Sequence, residues 1–450
     1  MPSVDLSIAG GRILYDGELR SVTLGVTDGT VSHVVDPDAE FPAEETLSLD
    51  GEAVLPGLVD GHVHFREPGY TKKEGIESGT AAAAAGGVTT VIEMPNTKPP
   101  VLTVDRLEEK ADLFAEKSRT DFALFGAITE ENVETGDIAA LAEAGVTAFK
   151  TFMATSFGPL LMDDKGELLA AFEEVADTGR PLYIHAEDEE YLETFGRRAR
   201  EDHGEDMAAF FESRPPIAET TAVSDVLDIV GETGTETIIA HTTTAESVDR
   251  VAAAKENGLP VHAELTPYHL AFDETEIRRV GTHGIGTPPV GDAANREALW
   301  SRLADGNVDL LGSDHAPHLL GEKEKPPLDV APGMPQLETA LPSLLDAVTD
   351  GLLTVADIAE LYAERPARIH GLYPKKGTLQ VGADADFVVV DTDEEWTVDA
   401  DDFESNGPYS PFDGQTLTGR PVLTYQRGER IAEDMDVISK AGSGRRVTPP

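Results

Sequence analysis

Apolar and polar positions change rhythm twice along the chain. Residues 1–52 alternate in short runs such as Val4-Asp5-Leu6-Ser7-Ile8 and Ser21-Val22-Thr23-Leu24-Gly25-Val26, separated by Gly10-Gly11, Asp16-Gly17 and Asp28-Gly29. Alternation of period two broken by glycine turns predicts a small β unit built from hairpins. Such a unit buries little alone and needs a partner sheet. From residue 53, short apolar runs alternate with longer stretches of helical period. The runs are 53–59, 88–94, 121–127, 146–150, 181–185, 236–241, 260–265 and 308–314. Helical stretches fall between them at 76–85, 103–117, 137–144, 167–178, 218–230, 245–257 and 295–304, and two more follow at 338–348 and 355–363. Eight alternations predict an α/β fold, a (β/α)8 TIM barrel. The alternative, an open doubly wound sheet, wants a glycine-rich phosphate loop after its first strand, and the sequence has none there. After residue 366 the β rhythm returns in Phe387-Val388-Val389-Val390-Asp391, Pro421-Val422-Leu423-Thr424-Tyr425 and Arg430-Ile431. The expected organisation is a barrel over 53–366 and a small β-sandwich made from both termini, 1–52 and 367–435. The Gly/Ser/Arg/Pro-rich tail, 436–450, is expected to be disordered.

Composition narrows the class. The chain has 450 residues, of which 40% are hydrophobic, enough for a sizeable core. No apolar run reaches the roughly eighteen residues of a membrane-spanning helix. The N-terminus lacks a basic region followed by an apolar stretch, so a signal peptide is not expected and the cytoplasm is the expected compartment. With no cysteine, disulfides and thiolate ligands are both excluded. Lys+Arg 35 against Asp+Glu 84 gives a net charge of −49, spread along the whole chain. Such a surface repels itself in dilute buffer. In molar salt the Debye length falls to about 3 Å and the repulsion is screened, so the charge points to a high-salt cytoplasm. It also argues against nucleic-acid and anionic-membrane partners.

The candidate chemistry gathers at strand ends. In Asp60-Gly61-His62-Val63-His64-Phe65-Arg66-Glu67-Pro68-Gly69, His62 and His64 leave one face of the first strand, about 7 Å apart along it, and Arg66 continues that face. Two imidazoles so placed can converge on one metal ion, although a lone pair of this kind also occurs as ordinary polar residues at a strand end. Other polar groups follow other apolar runs: Asn96 after the second, Lys150 ending the fourth, His185 the fifth, His241 the sixth and Asp314 the eighth. Barrel closure would bring all of them to one rim.

These residues carry a resemblance. The stretch from Asp60 to Gly69, the Met94-Pro95-Asn96-Thr97 motif, and Gly312-Ser313-Asp314-His315-Ala316-Pro317-His318 with Lys323 resemble the signatures of class I dihydroorotases in the amidohydrolase superfamily. The resemblance implies a hydrolase that interconverts N-carbamoyl-L-aspartate and L-dihydroorotate in pyrimidine (UMP) biosynthesis. It implies two Zn2+ or other divalent ions, the first on His62 and His64 and the second on His185 and His241. Lys150, converted by CO2 to a carbamate, would bridge them, and Asp314 would bind the first ion and act as general acid and base toward a bridging hydroxide. His64, Arg66, Asn96, Thr287, His318, Pro332 and Gly333 would contact the substrate, and the subunits would form a dimer or tetramer. Two departures stand out: Thr287 where the family usually has Asn, and Tyr268 where His is common. Allantoinases and dihydropyrimidinases or hydantoinases are the alternatives within the superfamily, and a non-catalytic barrel scaffold is the alternative outside catalysis. His33, His203, His262, His283 and His370 are assigned structural places, with His269 and His315 near the rim.

Overall fold

The computed structural model describes residues 3–37, 39, 42–155 and 160–450. Among them, eight strands form the barrel: Leu58–Val63, Val88–Glu93, Asp121–Ala127, Ala148–Phe152, Leu182–His185, Thr237–Ile239, Val261–Leu265 and Leu310–Leu311. Their order in space is their order in the chain, and each neighbouring pair is parallel. A parallel bridge between Val63 and His315, with the His64 amide donating to the His315 carbonyl at 2.8 Å, joins the eighth segment back to the first. Helices alternate with the strands and cover the outside. Helix Ile76–Ala85 is almost wholly buried, and its run of alanines lets it lie close to the sheet.

The apolar run 53–59, read as one strand, is two. Ala53–Pro56 pairs with Phe387–Thr397 and Arg12–Tyr15 in a seven-stranded sheet, whereas Leu58–Val63 enters the barrel. Gly57 marks the crossing: its amide donates to the Asp386 carbonyl at 2.8 Å, and a Cβ there would lie 2.2 Å from the Thr89 side chain. The other sheet is four-stranded and includes Val4–Ala9 and Thr23–Thr27. Leu6, Ile8, Leu24 and Val26 from it pack with Ile13, Val54, Phe387 and Val389 of the first. The termini therefore build the expected sandwich.

The tail differs from its expectation. The Arg445 carbonyl accepts the Phe122 amide at 3.0 Å, and the Val447 amide donates to the Phe122 carbonyl at 2.8 Å. Arg446 pairs with Glu108 at 2.9 Å, and Val447 packs against the barrel interior. Composition marks this segment as disordered, yet it finds unpaired backbone at the start of the third strand and satisfies it. The helical stretch 355–363 likewise differs. After Val355–Ala359 it widens into a π-helical turn, Glu360–Glu364, which lets the Tyr362 hydroxyl donate to Asp60 below His62. No helix among the described residues is long and apolar enough to cross a membrane.

Candidate metal centre

His62 lies in the first barrel strand and His64 just past its end. Their Nε2 atoms sit 3.5 and 3.2 Å from Asp314 Oδ1. The other ring nitrogens are committed: His62 Nδ1 donates to Glu264 Oε1 and His64 Nδ1 to Asn96 Oδ1, each at 2.7 Å. That choice of tautomer leaves both Nε2 lone pairs facing the carboxylate, the arrangement in which outer partners orient ligating histidines. His185 ends the fifth strand and His241 follows the sixth. His185 Nδ1 lies 3.1 Å from His241 Nε2, while His185 Nε2 donates to Glu187 Oε2 at 2.8 Å. Arg214 in turn pairs with Glu187. The two histidine pairs adjoin, with the His62 and His241 rings 5.3 Å apart.

The electrostatics suit cations. Burial holds His64 down to about 3, and burial together with His185, Lys150 and His62 holds His241 well below its usual range, so both rings are neutral. Burial opposes ionisation of Asp314, but the neighbouring His62 and His64 and the Lys150 amine keep its carboxyl below the usual range. Lys150 lies in the fourth strand with its side chain fully buried. Its Nζ has no hydrogen-bond partner among the described residues and stands 4.9 Å from the Phe152 ring centre. Burial lowers its pKa to about 8, against the pull of Glu264 and Asp314. About a tenth of such amines are neutral at pH 7, the form that reacts with CO2.

The donor set fits two divalent ions. Ligand atoms 3.1–3.5 Å apart in each half match the edge of a polyhedron with metal–nitrogen distances of about 2.0–2.1 Å. His62 Nε2 and Lys150 Nζ are buried polar atoms without hydrogen bonds among the described residues. A second acidic cluster, Asp121, Asp384 and Asp386, differs in kind. The Lys376 ammonium lies 2.5, 2.9 and 2.6 Å from the three acids and already serves as their cation.

The cavity that His64, His185, His241 and Asp314 line is also lined by Arg66, Asn96, Thr287, Pro332 and Gly333. Thr287 and Pro332 also line an outer cavity of about 720 Å3, whose wall includes Leu192, Phe210 and Val330. Arg66 does not continue the strand face as expected. Its φ of +56° turns the chain, and His241 (+38°) and Asp314 (+50°) are turned in the same way. Backbone in this region costs a non-glycine residue of order 1–3 kcal/mol and tends to cluster at functional sites. Burial lowers the Arg66 pKa to about 10, which leaves it charged at neutral pH. Glu67, the next residue, pairs with Lys117 and accepts the Ile76 amide. Gly333 sits at φ +121°, and a Cβ there would lie 2.4 Å from the Ala316 carbonyl oxygen.

His318 is not among the residues that line the inner cavity. It stands one layer back, with Nε2 3.4 Å from Arg66 Nη2 and Nδ1 3.0 Å from Lys73 Nζ. Asn96 reaches the cavity and also braces His64. Sequence reasoning passed over Glu264, Glu187 and Lys73. Glu264 did leave a signal, an acid inside the apolar run 260–265 where a buried strand has no use for one. His370 takes a structural place, 2.9 Å from the Tyr183 hydroxyl beneath the site. His315 and His269 are buried beside it.

The model of the amidohydrolase family matches residues 53–431. The L-hydantoinase of Paenarthrobacter aurescens is 36% identical over 451 residues, which span 99% of this chain and 98% of that protein. The dihydroorotase of Halobacterium salinarum is 37% identical over 440 residues, 97% of this chain and 98% of the relative. The allantoinase of Rubrobacter xylanophilus is 35% identical over 453 residues, 100% of this chain and 98% of the relative. The solved structure of L-hydantoinase (dihydropyrimidinase) from Arthrobacter aurescens superposes with a TM-score of 0.96 at 35% identity, covering 99% of this chain and 100% of that one. With the family's match running through both the barrel and the sandwich strands, this chain belongs to the amidohydrolase family.

Proposed function

We propose that the protein is a metal-dependent cyclic amidohydrolase, and within that class a dihydroorotase that interconverts L-dihydroorotate and N-carbamoyl-L-aspartate. Arg66 carries the finer reading: a guanidinium is buried in the same cavity as His64 and Asp314 although the chain as a whole has a charge of −49. A buried cation there suits a ring that bears a carboxylate, through a bidentate charge-assisted contact. A hydantoin or dihydrouracil ring has no carboxylate to offer such a contact.

Zn2+ ions held by His62, His64, His185, His241, Asp314 and the carbamate of Lys150 would supply a Lewis acid for the ring carbonyl and lower the pKa of the attacking water. The remaining tasks fall to the chain. Arg66, Asn96, Thr287 and the backbone at Pro332 and Gly333, which all line the cavity, orient the ring. Asp314 accepts the proton as water adds to the ring carbonyl and returns it to the ring nitrogen as the carbon–nitrogen bond breaks. Cyclisation runs these steps backwards. His318 lies between Arg66 and Lys73, behind the cavity lining rather than on it.

One observation favours a second reading, hydrolysis of a hydantoin or allantoin: the likeness to an L-hydantoinase extends over the whole chain. Purified protein loaded with Zn2+ and bicarbonate in molar KCl, assayed with L-dihydroorotate, allantoin, hydantoin and dihydrouracil, separates the two. We expect turnover of dihydroorotate to dominate. Preferred turnover of allantoin or of an uncharged ring would overturn the dihydroorotase reading and leave the cyclic-amide reading standing.

A further inference from the structure

Glu264 touches both halves of the site. Its side chain is wholly buried in the seventh barrel strand. Oε1 accepts His62 Nδ1–H at 2.7 Å and the backbone N–H of His241 at 3.0 Å. A carboxylate oxygen has lone pairs enough for two donors. The two contacts do different things. Donation from His62 Nδ1 makes Nε2 the lone-pair nitrogen, and Nε2 has no hydrogen-bond partner among the described residues. The amide contact braces His241, whose ring lines the cavity, in its left-handed conformation, φ +38°. The carboxylate has little room to move. A Cβ on Gly312 would lie 3.0 Å from Glu264 Oε2 and 2.9 Å from His62 Cβ, so the first, seventh and eighth strands close around it.

We propose that Glu264 is a positioning residue shared by both ion positions: one oxygen sets which nitrogen His62 offers to the first and fixes the backbone turn that aims His241 at the second. The inference rests on the two-ion reading given above. It requires that damage at Glu264 loosen both ions together, because a single atom holds one ligand of each. It also requires reach rather than charge, since both contacts depend on where Oε1 lies.

The test uses the full chain loaded with Zn2+ and bicarbonate in molar KCl, and measures zinc stoichiometry and competition by a chelator. Glu264→Gln keeps an acceptor oxygen at the same reach and should retain two equivalents with nearly native affinity. Glu264→Ala should release both equivalents in parallel, with affinity about 10–100-fold weaker, the usual cost of losing an outer partner. Glu264→Asp keeps the charge but is one methylene short, and should behave like Ala. If the Ala variant does not fold, the order of Gln and Asp decides. Native retention in Ala or Asp, loss of one equivalent only, or Gln weaker than Asp would each overturn the inference. The wild-type count judges the underlying reading separately: fewer than two equivalents overturns that reading and this inference with it, whereas two in wild type with unchanged variants overturns this inference alone.

Discussion

Lys150 has its amine buried, without a hydrogen-bond partner among the described residues, and lowered to about 8. Left as an ammonium it would repel two cations, so the proposed two-ion site calls for the carbamate. Lys150→Ala should lose activity by at least about 100-fold, as expected when an interaction needed for the reaction itself is removed. Added acetate or propionate should restore part of that loss by standing in for the carbamate. Full activity in the variant would end the carbamate reading. Arg66→Met should cost about 2–3 kcal/mol, a hydrogen bond to a charged group, and so lower kcat/KM for dihydroorotate by roughly 30–150-fold. Its effect on an uncharged ring such as dihydrouracil should be small, and an equal loss on both substrates would show that Arg66 is structural. At this scale the sequence was readable where a polar residue follows an apolar run: His62, His64, Lys150, His185, His241 and Asp314 all meet at one end of the barrel. It was not readable where a contact depends on a backbone turn or a distant partner. The +56° φ of Arg66, the retreat of His318 behind it and the bond from Glu264 to His62, 202 positions away, leave no local pattern.

Elements show the same division. Period located most of the helices it predicted to within a residue or two, as with 103–117, because burial on one face sets the pattern directly, but it passed over the helix Glu189–His203. The run 53–59 is uniformly apolar, so nothing in it shows that its two halves belong to different sheets. The tail pairs with a strand more than 300 residues earlier through backbone atoms, which composition does not encode. Between elements, Lys323 ties the loop that carries Gly333 to the segment at Ile285. Its Nζ donates to the carbonyls of Ile285 at 3.0 Å, Ala331 at 3.1 Å and Gly333 at 2.9 Å. Lys323→Met removes the shared donor from all three, each worth about 1–3 kcal/mol if left buried and unpaired. We expect KM to rise about tenfold with kcat and zinc content nearly unchanged, since Gly333 is a proposed substrate contact and not a proposed ion ligand. An unchanged KM with only a lower Tm would show that the lysine stabilises the fold without shaping the cavity.

For the molecule as a whole, charge is the governing quantity. At −49, self-repulsion should make Tm rise steeply between about 0.1 M and 2 M KCl as the Debye length falls from about 10 Å toward 3 Å and below. A flat Tm across that range would contradict a high-salt adaptation. A pH effect arises at the far end of the barrel. Burial would lower His262, but Asp309 and Glu236, each 3.3 Å away, raise its pKa to about 9. A raised folded-state pKa means the ion pairs contribute fully below about pH 6.5, the free-imidazole value, and are lost as pH climbs through about 9. The Tm of wild type should therefore fall between pH 7 and pH 10 by more than that of His262→Gln, and parallel curves would refute the pairing.

The two-ion centre underlies the proposed chemistry, and anomalous diffraction at the zinc edge tests it most directly, on crystals grown from molar salt with Zn2+ and bicarbonate. Two peaks should appear within one cavity, one against His62, His64 and Asp314 and the other against His185 and His241, with density beyond Lys150 Nζ reaching both. A single peak, no peak, or zinc lodged among Asp121, Asp384 and Asp386 instead would contradict it.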